Sequence, residues 1–346
     1  IGGGYGAKSG IKYEALAVAL SHLAKKPVRL CLTADEAFKT LCDPSAKVTI
    51  KTGVKKDGTF LARHCEVYLN GGAYANSGPT VTERAGYRAH GPYRIPHVKT
   101  NCYCVYTNTV PGGAFRGFGG PQVSFAYESH LDMIADHLNL DPLQVRLKNL
   151  LDKGELYTAG NIPIDCDLKS EIKLLAEKIG WGQAPARSSN PGVKRGRGIA
   201  CAVKDGGGIN KEANAAVKVL IDGSVMLFLG AVEIGQGVRT ALLQVAAEEL
   251  SIKPERVQVA PLDSAYTPFD RGTHASSAIT VMGNAVLAAA QDARAKLIAM
   301  AAEVSHAPPS IIKLDGGKIF AGEHSAAIHE VMRRHFGDLE GEILGS

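Results

Sequence analysis

Residues 112–122 read GGAFRGFGGPQ, five glycines around Phe115, Arg116 and Phe118, closing on Pro121-Gln122. Glycine loses the most backbone entropy on folding and buries no side chain, so a cluster this dense makes a poor core. It lets the backbone approach a flat ligand closely, with the aromatics stacking on it or walling it off. Proline directly after the glycines marks a helix start, which predicts a helix over Val123–Leu138. Two other glycine loops open helices in the same way. IGGGYGAKSG (1–10) precedes an amphipathic pattern over 11–25, with Leu16, Leu20 and Leu23 at helical spacing, and EIGQG (233–237) precedes Val238–Leu250. A helix N-terminus behind glycines offers free N–H groups and the positive dipole end to an anion. The same glycines also simply permit a tight strand-to-helix turn, and both readings stand.

The first loop fits neither common nucleotide signature. A P-loop needs glycine where Ala7 precedes Lys8-Ser9, and a G-x-G-x-x-G run would need its third glycine at Ser9. The only acidic residue placed like a second nucleotide motif is Asp35, after Leu30-Cys31-Leu32, and it fits poorly. At 346 residues, 45% hydrophobic and 21% charged, the chain has the composition of a globular protein of two domains. The net charge of +5 is spread without a basic run, which argues against nucleic-acid binding; no stretch of 18 apolar residues suggests a membrane span, and no signal peptide is visible. The seven cysteines form no C-x-x-C, so no iron–sulfur cluster of the usual kind is expected here. Cys102 and Cys104 share one strand face and read as half-buried reduced thiols, which favours a cytoplasmic protein. The sequence opens at Ile1, inside a motif, as a fragment, a processed chain or one subunit of a split protein would.

Further along, Val28–Thr33 reads as a buried strand, and Val48–Gly53 with Phe60–Leu69 as a hairpin around Lys-Asp-Gly. Asp141-Pro142 reads as cap and first position of a helix Leu143–Leu151. SSNPGVKRGRG suggests a linker, and the expected division is residues 1–185 and 186–346. The second part reads as a strand Gly198–Val203, a hairpin of Ala215–Ile221 with Ser224–Leu229, a strand Val257–Pro261 and a helix Asn284–Ala302. KKPVRLCLTADEAF and IKPERVQVAPLDSAY echo each other after their helices, as two related β–loop–helix–β units would. The expected class is α+β: two subdomains of mixed sheets with packed helices, the loops converging at a cleft. HEVMRRH (329–335) is a decoy, because its histidines lie six apart, about 600° around a helix, and leave on different faces.

GGGYGAK (2–8), GGAFRGFGGPQ (112–122), VEIGQG (232–237) and THASS (273–277), in this order and spacing, resemble the molybdenum-cofactor-binding portion of the xanthine dehydrogenase / aldehyde oxidase family. The resemblance runs from residue 1 to about residue 300. It implies that Gly4, Tyr5 and Gly6 lie beside the cofactor, Tyr5 standing where the family usually has phenylalanine. Backbone at Tyr5, Arg116 and Ala275 would line the metal's surroundings, with Phe115 in the same cofactor loop. Gln236, with Ile234, Gly235 and Gly237, would bind the pterin, and Ser276 its phosphate side. His274 would either touch the cofactor or cap the segment that follows it. Phe118 would stack on an aromatic substrate, and Arg84 in TERAGYR would orient it or pair with Glu83 or another acid.

The implied reaction is hydroxylation of an electron-poor carbon with water as oxygen source. Electrons would leave through iron–sulfur clusters and FAD on other domains or subunits of a homodimeric complex. The cofactor would be a molybdenum-molybdopterin, including its cytosine dinucleotide form. The family's base is a glutamate in a Gly-Glu-Pro segment, and this sequence contains none. The expectation is therefore no catalytic base in this chain, inactivity of the chain alone, and a glutamate beyond Ser346 or on a partner. A cofactor-less assembly or structural module is the alternative. Purine-oxidising members carry glutamate where Ser9 stands and a second stacking phenylalanine near Asp205–Gly208. These departures turn the expectation from xanthine towards another N-heterocycle, an aromatic thioester or an aldehyde. The loop also lacks the A-Y-R-C pattern of the carbon monoxide branch.

Overall fold

Alternating side chains in AKVTIKTGV and FLARHCEVYL form the expected hairpin, in which Cys65, Val67 and Leu69 turn inward and His64, Glu66 and Tyr68 outward. The structure, a computed structural model, describes residues 3–8, 10–157, 162–184, 190, 192–204, 211–337 and 341–346. The chain forms two compact units, Tyr5–Lys204 and Ile1–Gly4 with Asp205–Ser346. The boundary expected near residue 185 falls outside the described residues.

In chain order the first unit carries α1 (Glu14–Ala24), α2 (Ala34–Phe38), β1 (Ala46–Val54), β2 (Phe60–Gly72), α3 (Gly78–Arg88) and β3 (His97–Tyr106). Then follow α4 (Gly120–Leu138), α5 (Pro142–Asn149), β4 (Leu156–Tyr157), β5 (Ile162–Pro163) and α6 (Leu168–Lys178). β1 and β2 run antiparallel, and β3 joins β2 in parallel after the α3 crossover. α3 and α4 lie on the inner face of this sheet and close a core of Val67, Leu69, Val81, Ala85, Val123 and Leu131. Asp141 Oδ1 accepts the Leu143 N–H at 2.7 Å, the cap that the Asp-Pro pair predicts. α1 forms, but buries no side chain.

In the second unit β6 (Ala215–Leu220) and β7 (Val225–Leu229) form the expected hairpin, followed by α7 (Val238–Glu249), β8 (Val257–Val259) and α8 (Gly283–Ser305). β9 (Ile312–Asp315), β10 (Lys318–Ala321), β11 (His324–Ala327), α9 (Ile328–Phe336) and β12 (Glu342–Gly345) complete it. The larger sheet has the order β12-β6-β7-β8, and α7 and α8 cover it through Leu242, Ala246, Val286, Ala289 and Leu297.

The fold is thus α+β, with open mixed sheets and packed helices. Two expected strands do not form. Val28–Thr33 runs as irregular chain ending at Thr33, which caps α2, and Gly198–Val203 is irregular as well. Both are short apolar runs that find no ladder partner, and a strand exists only through its partner. Among the described residues no helix is long and apolar enough to cross a membrane.

Candidate functional site

The first unit brings two of the motif loops together. Gly6 has φ +111° and lies so tightly on the Ala114 carbonyl that a Cβ would strike it, so the Tyr5-Gly6 turn rests on the 112–118 loop. Within that loop Gly117, Phe118 and Gly119 all have positive φ, 96°, 52° and 77°. Such a run turns successive peptide groups into one small space, and the side chains of α3 hold them. Ser77, at the N-cap of α3, accepts the Ala114 N–H on its Oγ at 2.7 Å. Arg88, in the last turn of α3 and buried, donates from Nη1 to the carbonyls of Gly117 (2.9 Å) and Phe118 (3.1 Å). Phe115 and Arg116 are exposed on this loop, whereas Phe118 packs partly against the core. Arg84 lies exposed on α3, and no ion pair to Glu83 or another acid forms among the described residues. Ser9 and Asp205–Gly208, whose identities bear on substrate choice, lie outside the described residues.

The second unit gathers the other two motifs. The Gly3 N–H, next to Gly4, donates to the Ile234 carbonyl at 2.7 Å. Gln236 folds back on its own loop: Oε1 accepts the Ile234 N–H at 2.7 Å, and Nε2 donates to the Val232 carbonyl at 3.0 Å. The Thr273 hydroxyl donates to that same carbonyl at 3.2 Å, tying THASS to VEIGQG. Ala275 and Ser276 both have positive φ (52° and 58°). His274 Nδ1 lies 2.8 Å from the Gly272 carbonyl, and its own carbonyl accepts the Ser277 hydroxyl at 2.6 Å, so it shapes this turn. A π-helical turn, Ala278–Met282, then leads into α8.

One expectation changes here. Two loop amides directly before α7, among those the glycine pattern could offer to an anion, are taken internally. Glu233 Oε1 accepts the N–H of Gly235 at 2.7 Å and of Gly237 at 3.1 Å. Those amides, Gly237 first, hold the Glu233 carboxyl below its ordinary value. At α1 the Glu14 carboxylate does likewise, accepting Lys12 N–H (2.8 Å) and Tyr13 N–H (3.0 Å). The helix itself starts at Glu14, well past Lys8-Ser9, which is not P-loop geometry.

Three buried polar atoms find no hydrogen-bond partner among the described residues at the places where the glycine loops run into helices: Lys12 Nζ before α1, Gln122 Oε1 in the first turn of α4 and Arg239 Nε in the first turn of α7. Buried polar groups are normally satisfied; a lysine or arginine N–H suits an anionic group, and an amide oxygen suits a hydrogen-bond donor. Taken unit by unit, Lys12 with Gln122 in the first and Arg239 in the second, the residues present fit a phosphate-bearing, hydrogen-bonding pterin. Lys12, Ser77, Arg88 and Glu233 escaped the sequence reading; Arg88, four residues after Arg84 on one helix, was the most legible of them.

The fold and these loops define a pair of cofactor-binding domains, and comparison with known proteins gives their kind. Residues 1–150 and residues 174–343 each match a family described as a molybdopterin cofactor-binding domain. The chain belongs to the xanthine dehydrogenase / aldehyde oxidase family, of which it is a molybdenum-cofactor-binding portion. It is 33% identical over 334 residues to a putative xanthine dehydrogenase molybdenum-binding subunit of Escherichia coli K12, covering 92% of this chain and 44% of that protein. It is 30% identical over 309 residues to a probable xanthine dehydrogenase subunit of Bacillus subtilis 168, covering 88% and 41%. Among solved structures, quinoline 2-oxidoreductase from Pseudomonas putida 86 superposes with a TM-score of 0.81 at 24% identity, covering all of this chain and 48% of that one. The chain thus spans less than half the length of these relatives.

Proposed function

We propose that this chain is the cofactor-holding catalytic portion of a molybdenum hydroxylase that oxidises an N-heterocycle, an aldehyde or a related aromatic substrate, with water as the oxygen source. The reading is supported by the match of residues 1–150 and 174–343 to molybdopterin cofactor-binding domains and, in each unit by itself, by buried polar atoms with no partner among the described residues: Lys12 Nζ and Gln122 Oε1 in the first, Arg239 Nε in the second. The molybdenum cofactor, when bound, supplies the oxygen-transfer and two-electron chemistry. The chain's own residues hold and orient. In the first unit Lys12 would offer a cation to the cofactor and Gln122 would accept one of its N–H groups; in the second Arg239 would offer a cation and Ser276 a hydroxyl to its phosphate side. Tyr5, Gly6, Arg116 and Ala275 present backbone beside the metal; Gly4, Phe115, His274 and the 234–237 turn wall the cofactor. Arg84 orients the substrate through its exposed guanidinium, and Phe118 stacks on an aromatic substrate. A base must take a proton from the attacking water, and no Gly-Glu-Pro segment provides one within residues 1–346. These residues alone are therefore inactive, and the base comes from elsewhere in the working enzyme.

Iron–sulfur and flavin groups on other domains or subunits carry the electrons away, and the cofactor is a molybdopterin or its cytosine dinucleotide. The test is molybdenum by mass spectrometry and pterin by fluorescence after oxidation, on the protein purified from its native cells. Near one molybdenum per chain with iron-containing partners is the expected result. A native preparation without molybdenum or pterin refutes the reading in favour of a cofactor-less assembly module.

A further inference from the structure

We infer that Arg88 is a positioning residue for the loop beside the metal: it fixes the backbone after Arg116 and the ring of Phe118 against the rail of α3. The inference rests on the reading under Proposed function. Gly117, Phe118 and Gly119 form three successive left-handed residues, and Phe118 occupies that region against the preference of an L-residue with a Cβ. A run of this kind persists only where its surroundings hold it. Its internal hydrogen bonds are two turn contacts, Phe118 N–H to the Phe115 carbonyl (2.8 Å) and Gly120 N–H to the Gly117 carbonyl (3.1 Å). The loop's first residues are held elsewhere, by the Gly112 N–H to the Gly71 carbonyl and the Gly113 N–H to the Cys42 carbonyl (3.0 Å each), and the part from Ala114 to Gly119 is held by α3 and its N-cap. Ser77 takes the Ala114 N–H at one end, and Arg88 takes two consecutive carbonyls at the other. Between them Gly119 approaches so closely that a Cβ would sit 2.6 Å from the Val81 carbonyl oxygen and 2.9 Å from Ala85 Cβ.

The Ala114–Gly119 part of the loop is thus held at three points on the α3 side, Ser77 at the N-cap and Val81/Ala85 and Arg88 within the 11-residue helix, and the charged one of these is Arg88. A charged donor makes hydrogen bonds roughly twice as strong as a neutral one, and Arg88 is 6% exposed, so water competes little for those carbonyls. Arg84 sits one turn earlier on the same helix. Arg88 therefore sets the distance from Arg84 to Phe118 and Arg116, although it faces away from solvent itself.

The experiment uses the native holoenzyme carrying R88M, which keeps the aliphatic stem and loses the donor, and R88K, which keeps the charge and loses the planar fork. Hydrogen exchange of peptides spanning 115–120 reports the clamp independently of any cofactor. The Mo(V) electron paramagnetic resonance spectrum after dithionite reduction reports the metal's surroundings. Exchange at least tenfold faster in R88M and intermediate in R88K is expected, with an altered Mo(V) spectrum at unchanged molybdenum content. Unchanged exchange overturns the clamp. Faster exchange with a spectrum superimposable on that of the wild type reduces Arg88 to a structural brace and overturns the positioning role. A wild-type preparation that lacks molybdenum overturns the functional reading itself, while the exchange data still decide the clamp.

Discussion

Replacing Arg146 by methionine should destabilise the Tyr5–Lys204 unit by about 3–5 kcal/mol, because it strands a buried carboxylate. The Arg146 side chain is fully buried and that of Glu128 is 9% exposed, with Nε and Oε2 2.8 Å apart. Arg146 Nη2 also donates to the Glu128 carbonyl (3.2 Å) and Nη1 to the Pro142 carbonyl (3.1 Å), joining α4 to α5. Glu128 accepts the Tyr93 hydroxyl at 2.5 Å and the Cys201 N–H at 3.0 Å, which draws in the chain before β3 and the end of the unit. Asp132 is a control: it pairs with Arg146 Nη1 at the same 2.8 Å, but its side chain is 55% exposed, so D132N should cost about 1 kcal/mol or less. Trp181, the only tryptophan, donates its indole N–H to Asp141 at 3.0 Å and packs on this same core, so its fluorescence reports this unit. With a urea slope of about 2 kcal/mol/M, R146M should move the midpoint down by about 1.5–2.5 M and D132N by about 0.5 M or less. The E128M/R146M double variant removes both charges and should lose at least about 2 kcal/mol less than the sum of the single losses. An R146M midpoint within about 0.5 M of wild type, or strictly additive single losses, would refute the argument.

Acid should weaken the same unit through His90, which is 3% exposed and whose pKa burial, aided by Arg63, lowers to about 4. The folded state resists the proton that the unfolded chain takes up near pH 6.5, so stability falls as pH drops from about 6.5 towards 4. The loss approaches about 3 kcal/mol, readable as a pH-dependent midpoint that H90Q flattens. Thiol labelling of the native protein at pH 8 should modify the exposed Cys31 quickly and leave Cys65 and Cys201 unmodified, since burial pushes both thiols to about 11. Labelling of all seven at equal rates would contradict the burial. Gly6→Ala should cost about 1–3 kcal/mol of strain at φ +111°, besides the clash with Ala114, and the native enzyme should then retain less pterin by fluorescence. Full pterin retention would show that the Tyr5-Gly6 turn does not hold the cofactor.

Much of the architecture was legible in local pattern. The hairpins announced themselves by alternation and turn residues, α5 by its Asp-Pro start, and α4 and α7 by glycine followed by helical periodicity. α3 was missed because its inward positions include Gly78, Thr82, Gly86 and Arg88, which carry no apolar stripe to count. β3, HVKTNCYCVY, mixes polar and apolar residues and is a strand because β2 lies beside it in parallel register. Val28–Thr33 failed for the converse reason: its composition suits a strand, but nothing pairs with it.

By itself the sequence singled out the loops proposed to hold the cofactor, because dense glycine, flanking aromatics and four ordered motifs are properties of composition and order along the chain. Only the tertiary structure decided which groups those loops leave available. Glu233 takes the Gly235 and Gly237 amides just before α7, Gln236 turns back onto its own loop, and Arg88 rather than Arg84 lies buried beneath the AFRGFG turn. Hydrogen-bond satisfaction is settled by proximity in space, and residues far apart in the chain become neighbours only once the core has closed.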